Sequence, residues 1–326
     1  MKKSILLAII GILLLACAGC GAKPKSGMAD EPVRIGIMLS DAGLGDQSFS
    51  DLGFTGLEKA RDELGISFDY KEIKDTKTYE QGLAELVKDG NDLVIGLGFS
   101  MQEAVEKTAR KYPKQPFLII DSVSELPNVY SVTFKEEEGS YLIGVLAGMK
   151  TKSDVVGFVG GMDVPLIKKF EKGFAEGVKA VNPKAQVLSE YAGTFDDVDK
   201  GSAIAGSMIK KKADYIYPAA GYTGVGVLKQ AEKSGIYSFG VDTDQFFQAE
   251  KAVVSSMLKK VDVAIYERVK EFSKTGKLSG HKIQLGIKED GVDIAPIRIV
   301  SLTPAETEKL EDLKKKLANQ EIQIIQ

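Results

Sequence analysis

The sequence predicts an α/β protein of two lobes, each a parallel sheet flanked by helices, joined through hinge segments. Three observations predict it. Short apolar runs alternate with segments whose apolar residues fall at helical spacing, the signature of a parallel sheet covered by helices. The alternation starts again near residue 155. The body beyond residue 32 is also longer than a single core usually serves, so two domains are expected.

In the first half, strands are expected at 33–39, 66–73, 93–97 and 117–121, and helices at 52–64, 79–88 and 100–112. Ser100 with Glu103 reads as a capping box, and Pro113 lies just past the end of that segment. Gly65 and Gly90 stand where helix C-caps belong. The second half opens with a strand at 155–160 and a helix through 170–181. Strands follow at 186–191, 215–219 and 237–241. A strand at 253–258, a helix at 261–272 and short strands at 283–287 and 297–300 come next.

Thr303 as N-cap, Pro304 in the first turn, and Leu310, Leu313 and Leu317 on one face predict a final amphipathic helix. Gly53-Phe54-Thr55-Gly56 and Gly173-Phe174-Ala175-Glu176-Gly177 each follow the first strand of a half. An internal repeat and a shared helix-packing need explain that echo equally well. The expected lobes are 33–132 plus 246–278, and 133–245 plus 279–326 with the final helix. Crossings are expected at 132–135, 244–249 and 278–282.

Ahead of the body, residues 1–20 read as an export signal. Lys2 and Lys3 precede an apolar run at 5–15, shorter than the roughly 20 residues a bilayer span requires. The only two cysteines, Cys17 and Cys20, lie here, and the residues before each resemble the bacterial lipoprotein box. Either is a candidate for lipid attachment. Residues 21–32 read as a flexible tether, which places the body on the extracytoplasmic face of the cell membrane, held by lipid. Losing Lys2 and Lys3 takes the formal net charge from −3 to −5. With no basic patch rich in Arg, no nucleic-acid partner is expected. A body without cysteine offers neither disulfides nor thiolate chemistry.

In parallel sheets, ligands bind where strands end and turn into helices. Behind the first strand lies Ser40-Asp41-Ala42-Gly43-Leu44-Gly45-Asp46-Gln47-Ser48-Phe49-Ser50, with carboxylates, glycines, hydroxyls and one ring. Asp41 and Asp46 read either as an acid–base pair or as a cap and a solvated carboxylate. Phe49 is placed for stacking at a helix start. Asp121, Asp242 and Lys259 end later strands, as do Asp244 and Ser256, and Phe195 follows another. Gly221-Tyr222-Thr223-Gly224-Val225-Gly226 fits neither phosphate-cradling pattern, although its glycines let a ligand approach the backbone.

Asp197-Val198-Asp199-Lys200-Gly201 departs from the calcium-loop spacing and reads as a solvated turn. The single histidine, His281, falls in an expected hinge or turn, and no nucleophile-elbow motif is present. A His–Cys metal site cannot be built from this inventory. The inventory predicts a binding protein with no catalytic residues, no metal and no cofactor.

Taken together, Asp41 to Ser50, Gly221 to Gly226, Gly240-Val241-Asp242-Thr243-Asp244-Gln245 and Ser256-Met257-Leu258-Lys259-Lys260-Val261-Asp262 resemble the basic membrane protein family. These are substrate-binding lipoproteins of ABC transporters, of the purine nucleoside receptor type. The resemblance covers nearly the whole mature chain. It implies a type I periplasmic-binding-protein-like fold, a monomer that closes on a nucleoside and delivers it to an ABC permease. It also implies a base sandwiched between Phe49 and Phe195, carboxylate contacts from Asp41, Asp121 and Asp242, and sugar contacts from Gly221 and Lys259. Two features depart from the receptor pattern. Ala42 stands where an Asn commonly follows the first Asp, which leaves base selectivity open. The compact loop between Gly221 and Asp242 is similar to a branch associated with competence regulation. A regulatory or sensory lipoprotein of the same fold and a sugar-binding receptor are the alternatives.

Overall fold

A computed structural model describes residues 32–324. The expected signal peptide, Cys17, Cys20 and all but the last residue of the tether lie outside the described residues. The first lobe opens with β1 (Arg34–Met38), α1 (Phe49–Leu64), β2 (Ser67–Lys71), the short α2 (Ile73–Thr76) and α3 (Tyr79–Lys88). It continues with β3 (Leu93–Leu97), α4 (Gln102–Lys111), β4 (Phe117–Ile120) and β5 (Val129–Phe134). The chain then crosses at Lys135 into α5 (Glu136–Lys150), β6 (Val155–Gly160), α6 (Pro165–Val181) and β7 (Gln186–Tyr191). The second lobe goes on through α7 (Val198–Lys210), β8 (Tyr215–Ala219), α8 (Tyr222–Lys233), β9 (Tyr237–Asp242) and β10 (Val253–Lys259). A crossing at Lys260 leads back to α9 (Val261–Thr275) and β11 (Lys282–Leu285), and the last to β12 (Val292–Ile294) and α10 (Pro304–Ala318).

Each lobe is built on a sheet of six strands. The first has the order β11-β5-β4-β3-β1-β2 and is parallel throughout. The second has the order β12-β10-β9-β8-β6-β7, with β12 antiparallel to β10. β3, β4 and β8 are buried at every position. Helices covering both faces of a parallel sheet demand such continuous apolar runs. The predicted two-lobed α/β fold is therefore what the chain adopts.

The lobe boundaries differ from those expected. β10 belongs to the second sheet beside β9, and β11 to the first sheet beside β5. The crossing at Lys135 falls where one was expected, whereas the others lie at Lys260 and between β11 and β12. An apolar run marks a strand but carries no label for the sheet edge it joins. The strand expected at 297–300 is absent; β12 lies earlier, and beyond it the N–H groups of Ala295 and Arg298 donate to the carbonyls of Ser256 and Val254.

Besides the short α2, which begins at the end of the expected strand 66–73, three helices were not anticipated. α5 is buried nearly all round, so it shows no polar stripe. α7 is capped by Asp197, whose side chain accepts from the Lys200 N–H at 2.9 Å, which corrects the solvated-turn reading. α8 begins directly behind Gly221. Met101, not Ser100, precedes α4, because a 3₁₀ turn at Phe99–Met101 displaces the expected capping box. Thr303 forms a complete capping box with Glu306.

The glycine echo has a packing origin. A Cβ on Gly56 of α1 would lie 2.6 Å from the carbonyl oxygen of Asp262 in α9. One on Gly177 of α6 would lie 2.0 Å from that of Tyr141 in α5. In both lobes the helix behind the first strand packs, through a bare glycine, on the helix that enters from a crossing.

Candidate functional site

The carboxyl ends of β1, β4, β8, β9 and β10 converge on one cleft between the lobes. This is the edge at which open α/β sheets hold ligands. The cleft and its open mouth together hold about 640 Å³ of space. Asp41, Phe49, Asp121, Phe195, Gly221, Asp242 and Lys259 all line it, as does Ala42. The fold thus gathers every residue proposed from sequence for ligand contact.

Its floor is charged. The Lys259 ammonium is 2% exposed and lies 2.5 Å from Asp121 Oδ2 and 3.2 Å from Glu136 Oε1. The rings of Phe49 and Phe134 each have their centroids 5.1 Å from Nζ, and Phe170 lies at 5.7 Å. Aromatic faces at such distances attract a desolvated cation. Burial disfavours the Lys259 ammonium, yet Asp121, Glu136 and Asp242 outweigh it and hold the proton above the ordinary lysine range. Burial pushes the Asp121 and Asp242 carboxyls upward, against the pull of Lys259. Asp121 Oδ1 is buried without a hydrogen-bond partner among the described residues. Asp121 lines the cleft, and leaving a buried acceptor of this kind unmet costs about 1–3 kcal/mol.

Asp121 and Asp242 occupy the left-handed backbone region, at φ 67° and 65°, which aspartate tolerates better than most residues. Both strands therefore leave their sheets abruptly at the cleft. The lobes meet across it. Ser48 Oγ donates to Asp242 Oδ2 at 2.6 Å, and Gln245 Nε2 donates to the carbonyl of Gln47 at 3.1 Å. Phe99 of the first lobe meets Phe195 of the second edge to face, with centroids 6.2 Å apart. Phe195 is held in turn by the Thr223 N–H, which donates to its carbonyl at 3.1 Å. Its ring lies over Gly161, where a Cβ would come within 2.2 Å of it.

Asp46 takes the bracing role. It accepts from the N–H groups of Ser48, Ser50 and Asp51 at 3.0, 2.7 and 3.2 Å, and so fixes the start of α1. Burial pushes its carboxyl up to about 6 despite those donors. Asp41 sits at the exposed rim and accepts from the Tyr79 hydroxyl. Asp244 pairs with Arg298 at 2.8 Å, away from the cleft wall. Ser256 Oγ accepts from the Gln245 N–H and supports the inter-lobe bond. His281 stacks on Tyr130 with centroids 4.6 Å apart, outside the cleft.

Sequence reasoning missed Glu136, Ser48, Gln245, Phe99 and Phe170. Glu136 opens a run of three glutamates that looks like a solvated helix start, and no pattern marks it as wholly buried.

Residues 34–326 match the Bmp family, described as ABC transporter substrate-binding protein, PnrA-like. The chain is 31% identical over 322 residues to a Lactococcus lactis protein named ABC transporter nucleoside-binding protein BmpA, covering 90% of this chain and 92% of that one. It is 30% identical to basic membrane protein A of Borreliella burgdorferi, covering 99% and 95%. Among solved structures, an ABC transporter solute-binding protein from Aeropyrum pernix superposes with a TM-score of 0.82 at 26% identity, covering 90% and 93%. The chain therefore belongs to the basic membrane protein family of ABC transporter substrate-binding proteins.

Proposed function

We propose that this protein captures a purine nucleoside in the inter-lobe cleft, as a monomer, and delivers it to an ABC permease without chemical change. The observation that carries the reading is the cleft's composition. Phe49 and Phe195 come from opposite lobes to one cavity, and Asp121, Asp242 and Lys259 lie in it. Two rings suit a flat base, since aromatic pairs contribute about 0.5–1.5 kcal/mol beyond area burial. Charged groups suit the hydroxyls of a sugar, because hydrogen bonds to charged partners contribute about 1.5–3 kcal/mol. The name of the Lactococcus lactis relative supports the same class of ligand. In this reading Asp41 and Gly221 complete the contacts at the rim, and a lipid on Cys17 or Cys20 ties the protein to the membrane.

Calorimetric titration with guanosine, adenosine, ribose and galactose tests the proposal. A purine nucleoside should bind at least about tenfold more tightly than either sugar, and Asp242→Ala should lose about tenfold or more of that affinity. Tighter binding of a sugar, or unchanged binding by Asp242→Ala, overturns it. Recovery of free base after incubation would overturn the non-enzymatic part.

A further inference from the structure

Glu136 is wholly buried and yet takes no part in the cleft wall. A carboxylate shut away from water costs several kcal/mol unless it is paired. Both of its oxygens face lysines: Oε1 lies 3.2 Å from Lys259 Nζ, and Oε2 lies 3.3 Å from Lys169 Nζ. Lys169 comes from α6 and also donates to the carbonyl of Phe134, at the end of β5. Glu136 is the first residue after the crossing at Lys135, and Lys259 is the last before the crossing at Lys260. The pair therefore joins two crossing segments beside the cleft.

We propose that Glu136 is a positioning residue for ligand binding, which holds the Lys259 ammonium from behind the cleft wall and so leaves Asp121 one carboxylate oxygen for the ligand. Lys259 sits between two carboxylates, and Asp121 commits only Oδ2 to it. The other oxygen, Oδ1, is buried without a hydrogen-bond partner among the described residues, and Glu136 Oε1 likewise meets Lys259 through charge at 3.2 Å rather than through a hydrogen bond. Without Glu136, the ammonium is free to turn wholly toward Asp121 and Asp242 and to occupy the acceptors that the ligand needs.

The charged and titratable groups around this pair are few. They are Asp121 behind β4, Asp242 at the end of β9, Tyr217 of β8, Lys169 of α6 and, on α5 itself, Glu137 beside Lys169. Tyr217 exchanges a hydrogen bond with Ser140 at 3.1 Å, and burial raises its phenol beyond the range of ordinary titration. The negative charge of Glu136 adds to burial in raising the Asp121 carboxyl. Neutralising Glu136 while keeping its shape should therefore lower the pH at which Asp121 takes up its proton.

The proposal rests on the nucleoside reading for the identity of the ligand, and its first test uses no ligand. In the full-length protein the Asp121 carboxyl is followed by ¹³C NMR as pH is varied, with the signal assigned through Asp121→Asn. The midpoint should fall in Glu136→Gln and return toward the wild-type value in Glu136→Asp. An unchanged midpoint in Glu136→Gln overturns the proposal. Guanosine and adenosine titrations then read the consequence. The acid limb of affinity should move to lower pH in Glu136→Gln, and Glu136→Ala should bind about 10- to 100-fold more weakly at neutral pH. Wild-type affinity in Glu136→Ala also overturns the proposal. If the wild type binds neither nucleoside, the nucleoside reading falls, and the Asp121 midpoint still decides the role of Glu136.

Discussion

Asp46 shows how one side chain serves structure in a place that invites a catalytic reading. It is 3% exposed, lines the cleft, and spends its carboxylate on three backbone donors at the start of α1. Its folded-state pKa is about 6, above the ordinary 3.8, because burial outweighs those donors. The folded state thus binds this proton more tightly than the unfolded chain, so the group favours folding most at low pH. That contribution is lost as pH rises through the window from 3.8 to about 6. Comparison with Asp46→Asn isolates it, since Asp121 and Asp242 titrate in both proteins. Measured by urea unfolding, the stability of the wild type relative to Asp46→Asn should be greater at about pH 4 than at about pH 7, by roughly 1–3 kcal/mol. A difference that stays constant or grows with pH refutes the assignment.

At the level of elements, the two helix pairs α1–α9 and α6–α5 position the cleft by bringing backbone against backbone. Gly56 and Gly177 permit it, since a side chain at either would lie within 2.6 Å of a carbonyl on the partner helix. Overpacking of that kind typically costs about 1–3 kcal/mol. Gly177→Ala should lower the urea midpoint by a corresponding amount, while Gly206→Ala, on α7 with open space around it, should leave stability equal or higher. Equal effects at the two positions would remove the packing argument. α5 matters doubly, because its first residue is Glu136 and its body carries the load of α6, β10 and β12.

At the level of the whole molecule, the lobes are shut on one another by the Ser48–Asp242 and Gln245–Gln47 hydrogen bonds. Bonds that span the lobes would be lost if the lobes parted, so under the proposed closure on a ligand they weigh on the closed side of the equilibrium. Ser48→Ala removes a hydrogen bond to a charged partner and should weaken ligand affinity by about tenfold. Solution scattering from ligand-free Ser48→Ala should give a larger radius of gyration than the wild type, with the two converging once guanosine saturates the site. Identical ligand-free radii would show that this bond has no part in closure.

The sequence by itself determined the two-lobed α/β plan, because buried parallel strands and the helices covering them leave opposite periodicities in the chain. It also placed Asp41, Asp121, Asp242 and Lys259 correctly at strand ends, since a carboxylate or lysine that stops an apolar run stands out locally. The resemblance of a few motifs added roles for Phe49, Phe195 and Gly221. Tertiary structure alone decided which sheet β10 and β11 join, because strand order depends on pairing between segments distant in the chain. It alone revealed α5, whose burial nearly all round erases the amphipathic signal, and Glu136, whose neighbours Lys169 and Lys259 lie 33 and 123 residues away. A charge reads as solvated until folding brings its counter-charges to it, and that meeting is set by packing rather than by any local pattern.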